Sequence, residues 1–253
     1  MKKETELEKQ IIEEYSTKDE QNLYRERTLH EGLWESEKII YRKYFKKGSS
    51  ILDVGCGSGR TTVGLKEMGY NIFGVDLTPA MIKTAKEIAR EKQLKIHYEV
   101  QNATDLRFQD SSFDNALFSF NGWCQIPNHE RRQKALNEIY RVIKPKGYFI
   151  FTIHERHVFG KRLPFWTWQA FKMYALKPLG LNIKEIEWGD RFFKAVAKGV
   201  TQYNYIHIPS RKEVKEMVKE AGFGLVYNAK RSEITDKDNN LDSGNCTFWV
   251  CRK

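Results

Sequence analysis

The stretch ILDVGCGSGR, residues 51 to 60, sets three glycines within five positions directly behind an apolar run. Glycine adopts a positive φ without steric cost, and a backbone without Cβ atoms can come close to a ligand. When such a turn joins a strand to a helix, the first N–H groups and the positive dipole end of that helix face whatever lies above the turn. A ligand carrying carboxylate, phosphate or hydroxyl groups suits that place. The dinucleotide pattern G-x-G-x-x-G would put its third glycine at position 60, where the helix packs on the strand. Here position 60 is Arg60 and the third glycine is Gly59, which weakens an NAD-type reading.

Around this turn, residues 48 to 153 alternate short β-branched or aromatic runs with helical stretches, the pattern of βαβ units in a parallel sheet. SSILDV, NIFGVDL, KIHYEV, FDNALFSF and YFIFTI read as five strands. Thr78-Pro79 opens one intervening helix and Asn128 another, while Ser210 and Glu213 form a capping box ahead of KEVKEMVKEAG. FGLVYNAKR and NCTFWVCRK supply two closing strands in a hairpin. The expected architecture is α/β: a Rossmann-like, seven-stranded, mostly parallel sheet with helices on both faces. It divides into an N-terminal helical cover (1–47), a cofactor-binding core (48–153), an inserted aromatic cap after strand five (154–205) carrying the acceptor site, and a C-terminal completion of the sheet (206–253).

Composition narrows the setting. The 253 residues are 40% hydrophobic and 30% charged, which suits a globular chain, and no run reaches the roughly 18 apolar residues of a membrane span. A cytoplasmic protein with no membrane partner is expected. Cys56, Cys124, Cys246 and Cys251 show no metal-ligand spacing, so free thiols and no metal are expected. The net charge of +10 is spread among acids and decides little between an anionic partner and a solvated surface.

LDVGCGSG resembles the D-x-G-x-G-x-G motif of class I S-adenosylmethionine-dependent methyltransferases, and GVDLTPAMIKTAKE, NATDLRFQDSSFD and LNEIYRVIKPKGYFIF resemble its companions in the family's order. The resemblance implies S-adenosyl-L-methionine as cofactor. It implies that Asp53, Gly55, Gly57 and Gly59 shape the methionine side of the site. Asp76, 21 residues beyond Gly55, would hold the ribose, with Leu77 against the adenine. Asn102 and Ala103 take the adenine-edge position, where the family more often has Asp then Ala. Ser119 and Phe120 fall where cofactor and acceptor meet. Arg60 either touches the cofactor carboxylate or plays a structural part. Tyr24 and Trp34 either close over the cofactor or pack on the first core helix.

The acceptor is the open question. Transfer of an activated methyl needs alignment and exclusion of water, and needs a base only if the acceptor holds its proton. His154, directly after strand five, is the candidate base, with His157 and His207 in or beside the cap. The cap holds Phe159, Phe165, Trp166, Trp168, Phe171, Tyr174, Trp188, Phe192, Phe193, Tyr203 and Tyr205, most of them expected to be buried in its own small core. A small-molecule acceptor is the leading expectation and no obligate protein partner is inferred. RNA is the alternative, because parts of the chain resemble tRNA wobble-uridine methyltransferases. A cofactor-binding protein without turnover is the third reading.

Overall fold

The strands alternate their side chains between two apolar clusters, and that alternation fixes which elements must cover each face. The computed structural model describes residues 2–197, 199–241 and 244–253. The chain opens with helices α1 (Lys2–Tyr15) and α2 (Lys18–Glu26), a π-helical turn over Arg27–Glu31, and α3 (Glu35–Tyr44). The core then alternates β1 (Ser50–Val54), α4 (Arg60–Glu67), β2 (Asn71–Asp76), α5 (Pro79–Glu91) and β3 (His97–Val100), and continues through β4 (Asn115–Phe118), α6 (His129–Val142) and β5 (Tyr148–Ile153). Ile51, Ile150, Phe248 and Val250 enter the cluster under α3, whereas Leu52, Phe149, Phe151, Trp249 and Cys251 enter the opposite one with residues of α6 and α8.

After β5 come a short turn over Gly160–Arg162, α7 (Leu163–Phe171), a second π-helical turn and the antiparallel hairpin β6 (Asp190–Ala197) and β7 (Val200–His207). The hairpin runs two residues past the expected end of the cap. Next come α8 (Arg211–Glu220), β8 (Gly224–Lys230), the single turn α9 (Arg231–Ile234) and β9 (Thr247–Arg252). The main sheet is seven-stranded in the order β3-β2-β1-β4-β5-β9-β8, parallel through β5 and antiparallel at β9 and β8, which agrees with the expected architecture. Its local signals hold too: Pro79 is at the first helical position, Asn128 accepts from the Arg131 N–H, and Ser210 and Glu213 cap each other.

The cap departs from expectation. Trp166 and Tyr205 are buried, but Phe159, Phe165, Trp168, Phe171, Tyr174 and Tyr203 are exposed. The physical reason lies in α7, which turns only Trp166 and Gln169 inward. Trp166 meets Trp188 at 5.4 Å, and the rings on the other sides of the helix find no apolar layer to cover them. The four cysteines are free and buried.

Candidate functional site

In an open α/β sheet, ligands bind beyond the carboxyl ends of the strands where the order reverses. Here β1 is flanked by β2 on one side and β4 on the other, so the crevice opens above the end of β1. The glycine turn lies there. Gly55 and Gly57 have φ of +64° and +55°, and a Cβ on Gly55 would stand 2.3 Å from the Phe118 ring. Both glycines line a pocket. Gly59 also has a positive φ, of +92°, yet it is not on the pocket wall, and its Cβ would strike the Tyr98 hydroxyl at 2.6 Å. The third glycine therefore lets the start of α4 pack on β3.

Asp53 is likewise beneath the wall. It is fully buried and its Oδ2 accepts the hydroxyls of Thr61 (2.6 Å) and Thr62 (2.7 Å), of which Thr61 faces the pocket. Burial pushes its carboxyl up to about 7, against the pull of the two hydroxyls. Asp76, at the end of β2, does reach the pocket: its Oδ2 accepts the Gly57 N–H at 2.9 Å and its Oδ1 the Thr78 N–H at 2.8 Å. Burial raises its pKa and the two backbone donors oppose that rise. Leu77, Asn102, Ala103, Ser119 and Phe120 share this wall. The Asn102 amide is already engaged, its Oδ1 accepting the Thr104 N–H and its Nδ2 donating to Glu8 at 3.1 Å.

Helices α1 and α2 roof the pocket. Glu8, Ile11, Tyr15, Tyr24 and Arg27 line it, and Glu8 pairs with Arg131. Tyr24 makes edge contacts with Tyr15 (5.6 Å) and Phe120 (6.4 Å), and its carbonyl accepts the Ser58 hydroxyl from the glycine turn. Sequence reading missed Glu8, Ile11, Tyr15 and Gln125, since no motif marks them. The only cue was a helical pattern ahead of the core.

Arg60 touches the pocket's edge but is committed elsewhere. Its guanidinium grips Glu37 of α3 through two bonds of 2.6 and 2.7 Å, donates to the Gly32 carbonyl and lies 4.3 Å from the Trp34 ring. Burial alone would lower its pKa, and the Glu37 carboxylate more than reverses that. The structural alternative for Arg60 holds, and Trp34 packs here against Phe120 at 5.5 Å.

The structure keeps His154 off the pocket wall. Its Nε2 lies 3.1 Å from the Asn121 amide nitrogen, and burial followed by Arg162, Arg231 and Arg191 lowers its pKa to about 4. His207 is locked between Asp190 (2.9 Å) and Glu213 (2.8 Å) beneath the cap hairpin. Glu187, Asp190 and His207 could face one cation, but Arg132 already pairs with Glu187 and the Asp190 oxygens accept from Tyr205, His207 and two backbone N–H groups. Residues 154–205, expected to carry the acceptor site, supply no wall of this pocket among the described residues.

The residues fit the cofactor that the sequence motif implies. A carboxylate has about four lone-pair sites, and each Asp76 oxygen accepts one backbone N–H, so both retain capacity toward a diol. Bare backbone at Gly55 and Gly57 admits a bulky ligand beside it.

Comparison with known proteins agrees. A family model described as a methyltransferase domain matches residues 52–151. The ubiquinone/menaquinone biosynthesis C-methyltransferase UbiE of Rickettsia bellii is 31% identical over 199 residues, 76% of this chain and 74% of the relative. Phosphoethanolamine N-methyltransferase 2 of Caenorhabditis elegans is 34% identical over 158 residues, 61% of this chain but about a third (34%) of that relative's length. A crystal structure of a S-adenosylmethionine-dependent methyltransferase from Methanosarcina mazei superposes with a TM-score of 0.68 at 24% identity, covering 88% of this chain and 98% of the other.

Proposed function

This chain belongs to the class I S-adenosylmethionine-dependent methyltransferases, and we propose that within the family it methylates a small, largely apolar, planar acceptor of the quinol type. The observation that carries the reading is the chemistry of the pocket wall around the glycine turn. Ile11, Tyr15, Tyr24, Phe118, Phe120 and Ile126 provide apolar and aromatic surface. Among them the Tyr15 hydroxyl accepts from the Gln125 amide at 2.7 Å, burial holds the phenols of Tyr15 and Tyr24 above their usual pKa, and the Arg27 guanidinium lies 5.3 Å from the Tyr24 and Phe120 rings, where it can face an oxygen substituent. Such a wall suits a flat ring with oxygen substituents, which phenol and amide groups can orient.

When bound, S-adenosylmethionine supplies a sulfonium-activated methyl group. The chain's own part is alignment and exclusion of water. Asp76 would hold the ribose hydroxyls, and Ser119 and Phe120 would meet both ligands where they adjoin. α1 and α2 roof the junction. No histidine faces the pocket among the described residues, and Glu8 is tied to Arg131 and Asn102. The acceptor must then bring a nucleophile that is already reactive, as the ring carbon of an ionised quinol is. The name of the Rickettsia relative supports the same acceptor class.

The test is methyl transfer from labelled cofactor to a reduced demethylnaphthoquinol, to phosphoethanolamine and to total RNA. Label in the quinol is expected. Label only in phosphoethanolamine or RNA, or binding without transfer to any of them, would overturn the proposal.

A further inference from the structure

Between Arg156 and Lys184 the chain runs 29 residues without an acid and with six lysines or arginines. The structure spreads this segment over the outside of the cap. Phe159 is 82% exposed, Leu179 77%, Tyr174 69% and Trp168 53%, with Leu163 and Phe171 about half exposed. Trp168 and Phe171 stack on each other at 5.6 Å with their faces in water. Scattered exposed apolar residues are ordinary in a monomer, but a contiguous run of large ones is not.

The charges around the run are arranged selectively. Arg156, Lys172 and Lys177 are spent inside the cap, on Glu213, Glu185 and backbone carbonyls. Lys161 and Arg162, which lead directly into α7, are exposed and make no ion pair with any described carboxylate. A surface of Trp, Phe, Tyr and Leu bordered by unpaired cations and free of acids matches an interface in which apolar rings enter the acyl boundary while cations meet anionic headgroups. A helix of nine residues is far too short to cross a bilayer, and no described helix is long and apolar enough to do so.

We propose that the cap docks on the surface of an anionic lipid bilayer through α7 and the turns flanking it, lying on the membrane without spanning it. The docking is independent of the acceptor assigned above, though it would place the pocket beside a lipid phase from which an apolar acceptor could enter.

The experiment is flotation of the full chain with vesicles of phosphatidylcholine alone and of phosphatidylcholine with 30% phosphatidylglycerol, composition being the only variable. Flotation with the anionic vesicles, falling as salt rises, is expected. Trp168→Ser with Phe171→Ser should weaken partition about tenfold or more, and Lys161→Glu with Arg162→Glu should abolish the preference for anionic vesicles. Both pairs are solvent-exposed, so urea unfolding should match that of the parent. No flotation of the parent, or flotation unchanged in the Trp168/Phe171 variant, overturns the proposal. So does self-association in sedimentation that the same variant abolishes without any vesicle binding, since a second copy would then cover the patch. Because the readout involves no acceptor, failure here leaves the quinol reading standing, and the reverse also holds.

Discussion

Removing Arg60 tests how the N-terminal cover is joined to the core. Arg60→Met deletes both bonds to Glu37, whose side chain is only 1% exposed, and leaves a carboxylate inside the protein with just the Trp34 N–H for company. Breaking a buried pair from one side costs about 3–5 kcal/mol, because the surviving charge has no counterion. For a chain of this size that corresponds to a fall in Tm of about 10 °C. In urea unfolding followed by tryptophan fluorescence, the midpoint should drop at constant slope. The double variant Arg60→Met/Glu37→Leu removes the stranded charge and loses chiefly the acceptor for the Trp34 N–H, so it should return to within about 1–2 kcal/mol of the parent. Arg60→Lys should recover little, since an ammonium cannot make the bidentate contact or stack flat on Trp34. A single variant within about 1 kcal/mol of the parent, or a double variant no more stable than the single, would refute the reasoning.

Three further outcomes follow from the site. Asp76→Ala should weaken S-adenosylmethionine binding about 100-fold in titration calorimetry, since it removes the proposed ribose contact and frees the Gly57 and Thr78 N–H groups together; unchanged affinity would remove Asp76 from the ribose. Gly59→Ala should destabilise the fold by about 2 kcal/mol or more, from its positive φ and the Tyr98 contact, while the folded protein's cofactor affinity stays within about threefold of the parent. For His154, the folded pKa of about 4 lies below the unfolded value, so its contribution is complete above pH 6.5 and is lost as pH falls toward 4. That contribution is about 3 kcal/mol, and His154→Gln should flatten the acid side of the Tm-against-pH curve without shifting any limb of the rate profile near pH 6–7.

What could be read from the sequence was whatever is decided locally. The glycine turn, the acid at the end of β2 and the caps at Pro79, Asn128 and Ser210 each depend on residues within a few positions. Seven strands in the right sheet followed from such signals. Arg60 was ambiguous because its partner, Glu37, is 23 positions upstream on a helix that no motif ties to the glycine turn. The packing reason for Gly59 was illegible because Tyr98, from another strand, determines why a side chain is forbidden there. The aromatic cap misled for a different reason. Ring content says how much apolar surface a segment has, while exposure depends on whether another layer covers it, and α7 has cover on one stripe only. His154 follows β5 in sequence order, yet the Asn121 contact and the packing behind it hold the ring away from the pocket.

The way the roof is attached has a kinetic meaning. On its inner side the frame is fixed, because Arg60 ties Glu37, Trp34 and the Gly32 carbonyl into one buried joint. On its outer side it is latched by Arg25 with Glu91 and Glu8 with Arg131. Between the two lies the π-helical turn Arg27–Glu31 ending at Gly32, whose φ is +58°. A door hung this way opens from the latch side and swings on that turn, so exchange of spent cofactor should be timed by the breaking of surface ion pairs and not by any loosening of the sheet.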